Sequence, residues 1–371
     1  MPGKRLRLLG VGDGRSIIFL RWAWRLAERG HEVHIVSHRM SERPGELDGL
    51  VTHRFTDVEP WTRVPYLRRF RFDDAIAKLA RRVQADVVHA HYLLPYGYWA
   101  ANAGTHPLVQ SPWGTDILVH AQSRKRGERW TREALAAADA FVLSSKGNSD
   151  AAVRFGADPA KIRRIVWYAD LTPFDPSKRD EAFATRFGWP ADSLIVLSLR
   201  NFREDTNIDV IVRAFAAVAQ DEPRARLILA ARGGPTRPEI ERLVDELGLQ
   251  DKVAFHFAPA DELPVLCASA DVAVSLAVSD ATPASMLECM ASGTPLVMGD
   301  AITIDEWITS GEGGEIVQPR DDDAVAAALR SLLADPELRR RYGERNLRVA
   351  RERVPPPGAE LERLYLELVG A

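Results

Sequence analysis

Residues 6–36, LRLLGVGDGRSIIFLRWAWRLAERGHEVHIV, decide the architecture. The apolar run from Leu6 to Val11 ends in the turn Gly10-Val11-Gly12-Asp13-Gly14. A helical period over 16–29 follows, with Ile17, Leu20, Ala23, Trp24 and Ala27 predicted on one face and Gly30 as the stop. Val33-His34-Ile35-Val36 is a second strand. Strand, glycine turn, helix and strand form a βαβ unit, and strands joined by such a crossover run parallel.

The alternation continues outward. Val87-Val88-His89-Ala90-His91 and Leu108-Val109-Gln110-Ser111 read as strands, as do segments near 138–143 and 162–166. After the turn-rich stretch Pro173-Phe174-Asp175-Pro176-Ser177 a second series begins. Its strands are predicted over 194–199, 225–229, 253–257, 272–275, 295–298 and 313–317. Its helices are predicted over 210–219, 238–247, 261–268, 285–291 and 322–333. Three prolines, Pro355 to Pro357, break the preceding helix, and Leu361, Leu364, Tyr365 and Leu368 recur at helical spacing. The expected fold class is α/β with two Rossmann-like domains facing across a cleft, 1–172 and 173–354. The segment 355–371 is a final helix packing back on the first domain. Such sheets bind ligands at the carboxyl ends of their strands.

A chain of 371 residues suits two domains, and 46% hydrophobic with 27% charged residues excludes extensive disorder. Two cysteines, Cys267 and Cys289, exclude a disulfide framework and a cysteine-rich zinc site. No apolar run approaches the ~20 residues of a membrane span, and the start of the chain reads as a strand rather than a signal peptide. The expected location is the cytoplasm, peripheral to the inner membrane face where basic surface meets anionic lipid. The net charge of −3 conceals a split: 27 basic and 19 acidic side chains up to Asp175, then 22 and 33 beyond it. Uneven charge is either ordinary surface variation or two domains meeting different partners, the basic one something anionic. Residues 61–72 interleave Trp61, Tyr66, Phe70 and Phe72 with Arg63, Arg68, Arg69 and Arg71. That pattern fits a membrane-interface segment or a helix with one buried aromatic side. No nucleic-acid-binding module accompanies it.

The glycine turn at 10–14 invites a dinucleotide reading, but Arg15 stands where the fingerprint needs glycine. The second strand also ends in Ser37-His38-Arg39 with no acid for a ribose. The turn is then either a plain tight turn or one that brings an anion or acceptor to a helix N-terminus. His89 and His91, two apart on a strand, share a face. A polar cleft wall and a zinc pair are the two readings, and no third ligand is spaced for zinc. Asp280 and Glu288 lie eight apart around Pro283, one in a loop and one in a helix, so two carboxylates can address different hydroxyls of one ligand.

Residues 279–295, SDATPASMLECMASGTP, resemble the acid-x7-acid signature of retaining GT-B glycosyltransferases of family 4. The same family is similar at 26–33, at Asp86 to His91, at 229–235 and at 311–317. It is also similar at Trp113-Gly114-Thr115-Asp116, where Trp113 replaces the usual histidine. The resemblance implies a retaining hexosyltransferase that uses a UDP-, GDP- or ADP-sugar and a glycan, lipid-linked or small-molecule hydroxyl acceptor, with no metal or other cofactor. It places Glu288 on the donor ribose, Asp280 on the donor sugar, and Pro283 and Ser285 at the donor side. Arg200 and Arg203 would face the diphosphate, with Thr206 or Asn207 where the family carries lysine. Gly12 and Gly14 would line the diphosphate and acceptor side, together with Asp13, Arg15, His89, His91 and Trp113, and Asp116 would orient the transfer step. A GT-B sugar-nucleotide epimerase and a catalytically degenerate binding protein are the alternatives.

Overall fold

The computed structural model describes residues 4–42, 45, 47–58, 72–118, 121, 125–278, 282–301 and 303–371. They form two compact units, Met1–Tyr168 together with Pro355–Ala371, and Ala169–Val354. The first holds β1 (Arg7–Val11), β2 (Glu32–Ser37), β3 (Val51–Arg54), β4 (Val87–His91), β5 (Leu108–Ser111), β6 (Ala140–Leu143) and β7 (Ile162–Arg164). Their order is β3-β2-β1-β4-β5-β6-β7, all parallel. The second holds β8 (Leu194–Ser198), β9 (Ala225–Ala230), β10 (Val253–His256), β11 (Val272–Ser275), β12 (Leu296–Gly299), β13 (Thr309–Ser310) and β14 (Gly313–Val317). Its order is β10-β9-β8-β11-β12-β14-β13, again parallel. Winding reverses between β1 and β4 in one sheet and between β8 and β11 in the other, the places where open α/β sheets leave a crevice.

Central strands β4, β8 and β11 are buried at every position, which is why β8 and β11 read as near-continuous apolar runs, while β4 buries two histidines as well. The edge strand β3 is largely exposed and carries no such run, so the sequence reading missed it. The two-residue β13 is too short to leave a pattern.

Helix α1 (Ile17–Glu28) starts at Ser16, whose hydroxyl accepts the Phe19 amide. It buries Phe19, Leu20, Trp22, Ala23 and Leu26, a face rotated from the predicted one, and Ile17 is exposed. Gly10 in β1 and Gly12 just past it set that rotation. A Cβ on Gly10 would lie 2.3 Å from a Trp22 ring carbon, and one on Gly12 would lie 3.0 Å from the Phe19 ring. Only a strand without side chains there admits the two aromatics.

Gly358, at φ +80°, turns the chain into the helix Ala359–Leu368, which packs on α1 within the first unit. Trp22 Nε1 donates to Tyr365 Oη at 2.8 Å, and Arg29 Nε donates to Glu362 at 2.9 Å. An indole N–H can only donate, so the Tyr365 hydroxyl accepts from Trp22 and donates to His89 Nδ1. His89 Nε2 then carries the proton and donates to Ser111 Oγ at 2.7 Å. Every member of this relay is buried. Tyr365→Phe should lower unfolding stability by about 1–3 kcal/mol, because it strands the buried indole donor and the imidazole acceptor. Denaturant titration checks this, and an unchanged midpoint would contradict the relay.

Candidate functional site

In the first unit the turn after β1 is tied to the end of β2. Gly14 N donates to Ser37 Oγ at 3.0 Å, Gly12 N to the Val36 carbonyl at 3.3 Å, and Ser41 N to the Gly14 carbonyl at 2.9 Å. Gly14 is required by space, since a Cβ would lie 2.5 Å from Met40 Sδ. Asp13 and Arg15 form a two-pronged ion pair, 3.0 and 2.7 Å. Burial alone would raise the Asp13 pKa, but the Arg15 guanidinium and amide bring it below the ordinary carboxylate value.

Asp116 has no accessible surface. Its Oδ1 accepts the amides of Trp113, Gly114 and Ile117 at 3.0, 2.9 and 3.1 Å, and its Oδ2 accepts the Leu93 amide at 2.7 Å. Burial raises its pKa and these four donors oppose the rise. The carboxylate therefore fixes the turn after β5 against the segment after β4. It holds the turn whose first residue is Trp113, while the resemblance implied that it orients the transfer step.

His89 and His91 also differ from their expected place on a cleft wall. Their rings stack 4.1 Å apart and are enclosed by residues of their own unit. Trp22 and Tyr365 flank His89, while Phe19, Trp22, Trp113 and Trp167 surround His91. Burial lowers the pKa of both, that of His89 to about 3. Among the described residues no cluster of three or more His, Cys, Asp or Glu side chains is placed to hold a metal. Trp113 Nε1 is buried and has no acceptor among the described residues.

In the second unit Arg200 follows β8 and is half-buried. The helix Ala284–Ala291 follows β11, with Pro283 as its N-cap, half-buried Ser285 in its first turn and Glu288 buried one turn on. Arg200 and this helix thus belong to the two strands that flank the winding reversal. Asp280 lies outside the described residues, as do Arg124 and all of 61–72 except Phe72. Phe72 is buried and opens the helix Phe72–Val83.

Thr206 and Asn207, which stand where the resemblance implies a lysine, are turned inward. The single hydroxyl proton of Thr206 is shared between the carbonyls of Asn201 and Arg203, at 2.8 and 2.7 Å, and Asn207 Nδ2 donates to the Leu276 carbonyl at 2.7 Å. Arg203 is exposed and paired with Asp205 at 2.9 Å. Sequence reasoning missed two features beside this loop. Gly234, at φ +156°, lies so close that a Cβ would reach within 2.0 Å of the Phe202 carbonyl oxygen, which locks the turn after β9 onto the loop after β8. Exposed Phe257 after β10 carries the Arg232 guanidinium 4.8 Å from its ring centre. The pair of glycines at 233–234 was the one sequence signal for these contacts.

Residues 180–349 match the family described as glycosyl transferases group 1, and residues 7–145 match glycosyl transferase 4-like proteins. The chain is 30% identical over 393 residues to a D-inositol 3-phosphate glycosyltransferase of Kineococcus radiotolerans, covering 92% of this chain and 87% of the relative. It is 26% identical over 348 residues to the N-acetyl-alpha-D-glucosaminyl L-malate synthase of Bacillus anthracis, covering 92% and 89%. The fold is shared with sucrose-phosphate synthase from Thermosynechococcus elongatus, at TM-score 0.80, 21% identity and coverage of 99% and 100%. It is also shared with Anabaena HepE, solved in complex with UDP-glucose, at TM-score 0.79, 16% identity and coverage of 99% and 100%.

Asp116→Asn replaces an all-acceptor side chain by one whose amide group faces backbone donors. It should cost about 1.5–3 kcal/mol of stability. Normal stability with abolished turnover would instead make Asp116 a reacting group. In nitrogen-edited NMR, His89 should stay a neutral Nε2–H tautomer from pH 8 down to pH 5. Its folded pKa lies below the ordinary 6.5, so it contributes stability that is complete above pH ~6.5 and is lost as pH falls towards ~3.

Proposed function

The chain belongs to the glycosyl transferases group 1 family, and on that premise we propose a retaining hexosyltransferase. It takes its sugar from a nucleoside-diphosphate donor and passes it to a hydroxyl of a small, anionic acceptor. The observation that carries the reading is the coverage of 92% of this chain by each of two relatives named for acidic small molecules, inositol 3-phosphate and malate. Anabaena HepE, which shares the fold, supports a nucleotide-sugar donor through its complex with UDP-glucose.

In the proposed reaction the bond between the sugar C1 and the donor phosphate oxygen breaks, and its electron pair leaves with the diphosphate. The acceptor hydroxyl forms the new C1–O bond on the same face and gives its proton to the departing phosphate oxygen. Glu288 accepts the two ribose hydroxyls, as a carboxylate with two acceptor oxygens can. Arg200 stabilises the charge that grows on the diphosphate, and Arg203 adds to it if its pairing with Asp205 opens. Asp280 holds the donor sugar, with Pro283 and Ser285 beside it. The turn Gly12 to Gly14 admits the acceptor, with Trp113 on the acceptor side. No metal or other cofactor takes part.

The inward-turned Thr206 and Asn207 favour one competing reading, a protein that binds the nucleotide without turning it over. A transfer assay decides. UDP-, GDP- and ADP-sugars are offered with inositol phosphates and hydroxy acids, and glycoside and nucleoside diphosphate are measured together. Equimolar product and α-linkage from an α-donor are expected. Arg200→Ala should lower kcat about 100-fold, equivalent to the ~3 kcal/mol that one oriented donor gives a developing anion. A wild-type rate would remove Arg200 from the reaction, and nucleotide binding without product would favour the competing reading.

A further inference from the structure

The strand end that lacks the ribose-binding acid of a dinucleotide site has the opposite chemistry. Ser37 closes β2, and His38 and Arg39 follow it. A cavity of about 520 Å³ opens there, lined by Arg15, His38, Arg39, Ser41, Glu42 and Arg54, with Met40 also in its wall. All belong to the first unit. Arg54 ends the neighbouring strand β3, and Arg15 stands at the turn after β1, so three adjacent strand ends each supply a guanidinium.

The cations are not equivalent. Arg15 is neutralised by Asp13. Arg39 and Arg54 are exposed and have no carboxylate partner among the described residues, and Glu42 is the single acid of the lining. The wall is held in place by hydrogen bonds that do not use these guanidinium groups. Arg39 N and Gly14 N both donate to Ser37 Oγ, at 3.1 and 3.0 Å, and His38 Nδ1 pairs with the Tyr96 hydroxyl at 2.7 Å. Two exposed planar forks on a braced wall suit an oxyanion, which each can bind through two parallel N–H···O contacts. The volume lies in the range of small-molecule sites.

We propose that this cavity is the specificity pocket for the acidic group of the acceptor, a phosphate monoester or a carboxylate held by Arg39 and Arg54. Glu42 accepts a hydroxyl of the same molecule. The proposal rests on the hexosyltransferase reading for its meaning, but the anion site itself can be measured without turnover. The full chain is titrated at low ionic strength with inorganic phosphate and with malonate, by calorimetry, and separately with UDP, GDP and ADP.

Arg39→Gln and Arg54→Gln should each weaken binding of the preferred anion about tenfold or more, the loss expected for one charged hydrogen bond. Arg129→Gln, a charge removed elsewhere in the same unit, should leave anion binding unchanged, and nucleotide affinity should be unchanged in all three. Tighter binding of phosphate assigns the pocket to phosphate esters, and tighter binding of malonate assigns it to carboxylic acids. Absence of anion binding, equal weakening by Arg129→Gln, or competition between phosphate and the bound nucleotide would each overturn the proposal. If no nucleotide binds but the pocket variants lose phosphate, the transferase reading fails and the anion site stands.

Discussion

Both sheets are wholly parallel, and an open parallel sheet covered on both faces leaves its backbone donors and acceptors free only at strand ends and along its two edges. Everything in this protein that can meet a polar ligand follows from that constraint. In the first unit the tight seat of α1 on β1 seals the face. Gly10 and Gly12 let Trp22 and Phe19 lie against the strand. Trp22 then reaches Tyr365 on the final helix, and Tyr365 reaches His89 on β4. The last turns of the chain therefore complete the interior of the first sheet, while the carboxyl ends of β1, β2 and β3 stay open.

Much of this was legible in the residues. Unbroken apolar runs flanked by glycine turns specify buried parallel strands, and the series at 194–199, 225–229, 253–257 and 272–275 falls on β8 to β11. The helix face was misjudged because α1 is apolar on several sides, and only the glycines of the partner strand select which aromatics go inward. The histidine strand and Trp113-Gly114-Thr115-Asp116 were found by their pattern, but a pattern does not say whether a polar group faces ligand or interior. Four backbone donors converge on Asp116 and aromatic rings enclose His91, and both are consequences of tertiary packing. Arg39 and Arg54 stand 15 positions apart in sequence and meet only because β2 and β3 are neighbours.

The charge split takes on a local meaning. A nucleoside diphosphate would have to bind the acidic part of the chain, where most arginines near the end of β8 are already engaged. Arg203 is paired with Asp205, and Arg213 with Asp209 and Asp322. In the proposed reaction Arg200 faces the diphosphate, and Thr206 and Asn207, where the resemblance implies a lysine, brace the loop instead. In the basic part, Arg39 and Arg54 meet at one small cavity, the place proposed for the acidic group of the acceptor.

The central claim is that Glu288 holds the ribose of a nucleotide-sugar donor. The direct measurement is the thermal stability of the protein and of Glu288→Ala against UDP, GDP, ADP and their sugars. One base should stabilise the wild type, by about 2.7 kcal/mol at 100 times its dissociation constant, and the variant should lose that shift while its ligand-free stability stays close to normal. Equal stabilisation of wild type and variant, or no response of the wild type to any of these nucleotides, would contradict the account.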